Sequence, residues 1–310
     1  MVAHRAQTSA AVAVVAAILT GCAGSAHPPT GSIGVASERG GSSSASSASA
    51  VADPVRTEGL AFVSAGQVWR VEGGVARRLT QSPETKRSLA YSPDRSQLLF
   101  VSGDGMKADI MSLPLGSGSL NLLHATGESS LVGAVRRNPA TGEVLYTYYG
   151  DPYTLIRRVA ENGTKLPPVR TAVHTNGDFD VASDGRLVYT SFDQAPARVS
   201  VRGARGEHPL SLKLALATEP SFSADGKRVV LSGASSPTGP RSVWVVELAS
   251  GESTQLRSTM GLEPQTPVFS PDGSRVAFRN ARDGSLWLVP ILSGAPERLG
   301  LPASDGAIAW

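Results

Sequence analysis

An apolar strand, a Ser-Pro-Asp-Gly-type turn and a second apolar strand recur through this chain at a near-constant period. The turn reads Tyr91-Ser92-Pro93-Asp94, then Arg137-Asn138-Pro139, Ala182-Ser183-Asp184-Gly185, Phe222-Ser223-Ala224-Asp225-Gly226 and Phe269-Ser270-Pro271-Asp272-Gly273. A second landmark, a strand centred on Trp69, Met111, Ile156, Val199, Trp244 and Trp287, repeats at spacings of 42, 45, 43, 45 and 43 residues. That period matches a four-stranded propeller blade, and six landmarks give six blades.

The runs are short, rich in Val, Leu and aromatics, and broken by Gly or Pro every few residues, so they are strands and not helices. Glycines after each landmark strand (Gly73-Gly74, Gly163, Gly251) supply the positive φ of tight hairpins. Trp69, Trp244 and Trp287 share one strand position and are expected to wedge between neighbouring blades. The segment Ala307-Ile308-Ala309-Trp310 reads as the first strand of a further copy, and Gly59-Leu60-Ala61-Phe62-Val63-Ser64 reads as the strand that should follow it. The expected fold is therefore all-β: a six-bladed β-propeller over residues 55–310, closed by the C-terminal strand pairing into the N-terminal blade. Closure removes the open edge that a linear array would expose.

Residues 1–22 read as a targeting segment. His4 and Arg5 precede the apolar stretch Ala10–Leu19, which is too short to span a bilayer. It ends in Leu19-Thr20-Gly21-Cys22, a pattern that resembles the bacterial lipoprotein signal, whose cysteine receives a lipid before cleavage. Cys22 is the one cysteine of the chain, so an intrachain disulfide is excluded. Residues 23–54, dominated by Ser, Gly, Ala and Pro, lack the apolar surface needed to fold and read as a tether. As a flexible coil such a tether has ends ~30 Å apart. The expected location is the extracytoplasmic face of the cell membrane, held by lipid on Cys22.

The formal net charge of +3 is small and its arginines are scattered, so a nucleic-acid partner is not expected. There is no Gly-x-Ser-x-Gly elbow. Within the propeller only His124, His174 and His208 are histidines, at unrelated points of the repeat.

With Ser270-Pro271-Asp272-Gly273-Ser274-Arg275-Val276-Ala277-Phe278 in view, residues 57–310 resemble the TolB-type propeller. Blade three departs, with Asn138-Pro139-Ala140-Thr141-Gly142 in place of the turn, and blade four carries Ala182-Ser183 where proline is usual. The resemblance implies an envelope protein with a WD-like, Pro-Asp-turned propeller. In that family an N-terminal domain precedes the propeller; here the lipidation signal stands in its place.

Loops entering the innermost strands should ring one mouth of the channel, and they offer Arg87, Asp178, Asp180, Glu219, Gln265 and Asp305 as candidate binding residues. Loops between second and third strands should share that face, with Asp104, Asp151, Tyr153, Asp193, Arg282 and Asp283. Acids clustered there suit a cationic ligand group or a metal ion. Strand alternation would point Asp178 and Asp180 to one side. No cofactor is expected, a structural cation at the mouth being the one candidate. The expected role is a protein-binding or scaffold module for an envelope partner and not an enzyme. The alternative is a small-ligand or metal-dependent site, lactonase-like, built on Asn176, Asp178 and Glu219.

Overall fold

The computed structural model describes residues 54–103, 108–126, 131–149, 153–172, 176–191 and 198–310. The targeting segment with Cys22, tether residues 23–53, and Asp104, Asp151, His174 and Asp193 lie outside the described residues. After a single helical turn at Pro54–Thr57, six four-stranded antiparallel sheets follow. Blade 1 holds β1 (Ala61–Ser64), β2 (Gln67–Glu72) and β3 (Val75–Arg78). Blade 2 is β4 (Lys86–Tyr91), β5 (Gln97–Gly103), β6 (Ala108–Pro114) and β7 (Asn121–Ala125). Blade 3 is β8 (Leu131–Arg137), β9 (Val144–Tyr149), β10 (Thr154–Val159) and β11 (Lys165–Leu166). Blade 4 is β12 (Asn176–Val181), β13 (Leu187–Ser191), β14 (Val199–Gly203) and β15 (Gly206–Pro209). Blade 5 is β16 (Leu216–Phe222), β17 (Arg228–Ala234), β18 (Ser242–Glu247) and β19 (Ser253–Leu256). Blade 6 is β20 (Pro264–Phe269), β21 (Arg275–Asn280), β22 (Leu286–Pro290) and β23 (Glu297–Arg298). The last strand, β24 (Ile308–Ala309), adds to β1 as the innermost strand of blade 1.

The innermost strands touch in cyclic order, β24 to β4, β8, β12, β16, β20 and back to β24. Closure is as the repeat predicts: Ala61 pairs with Ala309 and Phe62 with Ile308. It continues through Val63 N–H to the Ala307 carbonyl at 3.2 Å and Asp305 N–H to the Val63 carbonyl at 3.1 Å. The Trp310 indole N–H adds a bond to the Glu58 carbonyl at 3.0 Å.

The core is divided among the seams. Leu98 and Phe100 of β5 pack with Ala61, Val63 and Val68 of blade 1. Their neighbours Leu99 and Val101 pack with Val135, Val144 and Tyr146 of blade 3. A second strand is thus buried on both faces, which is why its sequence is a continuous apolar run and not an alternating one. Val229 and Leu231 against Val230, and Val276 and Phe278 against Ala277, repeat the division in blades 5 and 6. Each fully buried Leu or Phe contributes about 1.5–3 kcal/mol. Trp69, Trp244 and Trp287 lie half-buried against three of these seams, as their shared position suggests.

The turn chemistry also ties blades together. Ser270 Oγ donates to Asp272 at 2.5 Å, and Asp272 accepts from Ser274 N–H at 3.0 Å, holding the turn shut from within. From blade 4, Arg186 donates to the Gly226 carbonyl at 2.6 Å; from blade 5, Arg228 donates to the Gly273 carbonyl at 2.8 Å. Gly226 and Gly273 sit at φ of +66° and +67°, and a Cβ on either would run into the incoming guanidinium. Glycine is required there twice over, by backbone conformation and by contact.

Candidate functional site

Where the innermost strands approach the channel mouth, their pairing slips. The register shifts between Arg87 and Leu89, Val132 and Val135, Asn176 and Phe179, Thr218 and Ser221, and Gln265 and Val268. These are β-bulges, each of which re-aims a side chain out of the ladder. Ser88, Ala134, Asp178, Glu219, Thr266 and Ala307 occupy this one level of the ring and line a cavity of about 200 Å³. Three of them hold positive φ, Ser88 at +48°, Glu219 at +56° and Thr266 at +47°, which is costly for residues with a Cβ.

The bulged side chains staple blade to blade. Ser88 Oγ accepts from Val135 N–H of the next blade at 2.9 Å. The Glu219 backbone N–H bonds the Asp178 carboxyl, and Thr266 N–H donates to Glu219 Oε2 at 2.9 Å. Asp178 and Glu219 are therefore fixed on adjacent blades at one level, both partly buried in the wall of the cavity.

This pair faces Tyr149 and Arg87 across the cavity, with Arg136, Arg241 and Arg279 close enough to act on it. Gly133 admits the Tyr149 ring, since a Cβ there would lie 2.7 Å from it. Burial, reinforced by the Asp178 and Glu219 charges, pushes the Tyr149 phenol up, so it stays protonated. Burial raises the Asp178 carboxyl. Glu219 is pushed up to about 7, by burial first and by the Asp178 charge second. Two carboxyls this close behave as one titrating unit that retains a proton near neutrality.

A raised carboxyl in the folded state means that stability is complete below the unfolded value, about 4.5, and is lost as pH rises through about 7. Denaturant titrations are expected to show a loss of about 1–3 kcal/mol between pH 4.5 and 8. Glu219→Gln should flatten that window. A wild-type profile already flat there would contradict the assignment.

The remaining sequence candidates separate. Asp180 lines the opposite, turn-end opening of the channel, one step down from Asp178. There it bonds Arg136 Nε at 2.6 Å and accepts from Ser221 Oγ and Phe222 N–H at 3.1 and 2.8 Å. It bridges blades 3, 4 and 5 and does not share a ligand with Asp178. Gln265 accepts from Arg279, and Asp305 accepts from Gly66 N–H at 3.0 Å. Arg282 approaches Glu263 at 3.5 Å, Asp283 accepts from Ser285, and Tyr153 is exposed. The side chain of Asn176 lies outside the described residues. His124 and His208 fall on the outer strands β7 and β15. Arg87, Asp178 and Glu219 are brought together; Ser88, Tyr149 and Thr266 join them unannounced. Glu219-Pro220 and Thr266-Pro267 carried a usable signal, because proline within a strand is confined to sheet edges and bulges, and β16 and β20 are the inner edge strands of their blades.

No protein-family model matches the chain. A stretch of 96 residues is 31% identical to the Tol-Pal system protein TolB of Francisella tularensis subsp. tularensis, covering 30% of this chain and 22% of that protein. The match thus reaches about a fifth of that relative's length. The structure of TolB from Acinetobacter baumannii superposes with a TM-score of 0.68 at 18% identity, over 81% of this chain and 66% of that one. The fold is that of the TolB propeller. A chain of a nidogen/laminin complex is similar at TM-score 0.65 and 13% identity, over 81% of this chain and 97% of that one. An oligogalacturonate lyase in complex with manganese is similar at TM-score 0.53 and 14% identity, over 75% of this chain and 70% of that one. Chains of similar fold thus include a member of a protein complex and a lyase, and chemistry has to be argued from the site.

Proposed function

We propose that this chain is an exported lipoprotein whose TolB-like propeller docks another protein of the cell envelope. The observation that carries the reading is the Asp178–Glu219 pair. Each carboxyl accepts a backbone N–H from the following blade, and both residues line the cavity at the mouth. Among the described residues no three His, Cys, Asp or Glu side chains converge there or elsewhere. That arrangement suits a cationic side chain of a partner better than bond cleavage, which needs a nucleophile with a base or a metal cluster. The name of the Francisella relative, a component of the Tol-Pal system, supports an envelope partner. Leu19-Thr20-Gly21-Cys22 and the tether would hold the propeller on the outer side of the membrane.

In-cell crosslinking of the tagged full-length protein, followed by mass spectrometry, tests this. One dominant envelope protein should be enriched, and it should be lost with Asp178→Asn/Glu219→Gln. No enrichment over an untagged control would refute the docking role.

A second reading places a metal ion or small ligand on the same two carboxyls, and the manganese complex of the similar lyase is what favours it. Under that reading calcium or manganese raises the melting temperature of the wild type by several degrees and leaves the double variant unmoved.

A further inference from the structure

At the turn-end opening of the channel, blade 2 breaks a rule that three other blades keep. The left-handed position of the turn is glycine in blades 4, 5 and 6 (Gly185, Gly226, Gly273), at φ between +66° and +82°. In blade 2 it is Arg95, at φ +57°. An L-residue with a long side chain is strained there, and strain of this kind points toward a role for the side chain.

Packing accounts for half of the substitution. Arg186 and Arg228 reach across their seams onto the glycine of the following blade. Between blades 1 and 2 the pair is inverted: Gly59 stands at the arginine position, and the Arg95 guanidinium fills the space beside it, where a Gly59 Cβ would lie 3.1 Å from its Nη2. Arg228 stacks on Phe269 of the following blade, whereas Arg95 stacks on the aromatic that ends its own innermost strand, Tyr91, at 4.3 Å from the ring centroid.

The donors are where the analogy stops. Arg186 and Arg228 each give hydrogen bonds to a glycine carbonyl, but the Gly59 carbonyl is already taken by the Tyr91 hydroxyl at 2.6 Å. Among the described residues, Arg95 pairs with no carboxylate and donates no side-chain hydrogen bond. It lies half-buried on a cavity of about 420 Å³. The other cations of that cavity are matched, Arg136 by Asp180 and Arg137 by Glu161. Arg95 is the unneutralised charge, stacked on the Tyr91 ring in a cavity that Trp310 also lines.

We infer that the turn-end opening of the channel binds an oxyanion, a carboxylate or phosphate group of a ligand, on the Arg95 guanidinium. The planar fork matches both groups through paired N–H bonds, and partial burial keeps water from screening them. The site lies at the opposite end of the channel from the carboxyl pair and does not depend on the docking reading.

The test is calorimetric titration of the full-length protein in detergent with inorganic phosphate and, separately, acetate, at constant ionic strength set with chloride. Saturable millimolar binding of one or both is expected, and the stronger probe identifies the group. Arg95→Gly restores the residue used by three other blades, so it should melt within a few degrees of wild type while losing about tenfold or more in affinity. Arg95→Lys keeps the charge without the fork and should fall between. Absence of saturable binding to wild type at tens of millimolar, or binding to Arg95→Gly within twofold of wild type, would overturn the proposal. Should Arg95→Gly fail to fold, Arg95→Lys binding as tightly as wild type would do the same.

Discussion

Deletion of residues 305–310 is expected to abolish the cooperative melting transition of the entire propeller, not only to fray its end. The segment contributes β24, and with it the ladder to β1, the Val63–Ala307 and Asp305–Val63 bonds and the Trp310 bond to Glu58. Ile308 belongs to the core between blades 6 and 1, and Ala309 to the core between blades 1 and 2. Its removal therefore opens two seams and leaves the inner edge of blade 1 unpaired. A handful of backbone hydrogen bonds at about 1 kcal/mol each, together with a buried isoleucine, approaches the roughly 5–15 kcal/mol by which a whole domain is stable. Ile308→Ala alone removes the side chain and keeps the ladder, so it should cost about 2–5 kcal/mol and leave a sharp transition at lower temperature. Calorimetry separates the two. A truncated protein that melts cooperatively within a few degrees of wild type would show that closure is dispensable.

The blade count, the turns and the closing strand were legible because they rest on local patterns, a landmark strand written six times and a turn written five times, that vouch for one another. Leu98-Leu99-Phe100-Val101 reads as a strand from composition alone, and its division between two seams follows from β pleating. The mouth was harder to read. Strand alternation treats Asp178 and Asp180 as equivalent, yet they lie on different levels of the channel, one on the carboxyl pair and the other in a bridge to Arg136. What separates their roles is long-range, since Arg136 comes from another blade and Glu219 from a third. Tyr149 was illegible for the same reason: its place at the mouth depends on the gap left by Gly133, on a neighbouring strand. Arg95 shows the reverse case. Its oddity, an arginine where the repeat writes glycine, is visible in the sequence once the blades are aligned, but its meaning depends on Gly59 across the seam.

Replacing Cys22 with Ala is expected to move the protein from almost wholly membrane-bound to almost wholly soluble, or else to stall it as an unprocessed precursor. No helix among the described residues is long and apolar enough to cross a membrane. Each buried methylene adds about 0.8 kcal/mol, so one acyl chain binds reversibly and two hold the protein for its working life. Under the proposed reading, loss of the thioether leaves retention to the docking partner, and this makes the variant informative about docking as well. If the soluble Cys22→Ala protein still crosslinks to the same envelope protein, the propeller recognises its partner by itself and the lipid serves to raise local concentration. Fractionation with immunoblotting reads the outcome directly. A Cys22→Ala protein of mature size that stays in the membrane pellet after a high-salt wash would refute the lipoprotein reading.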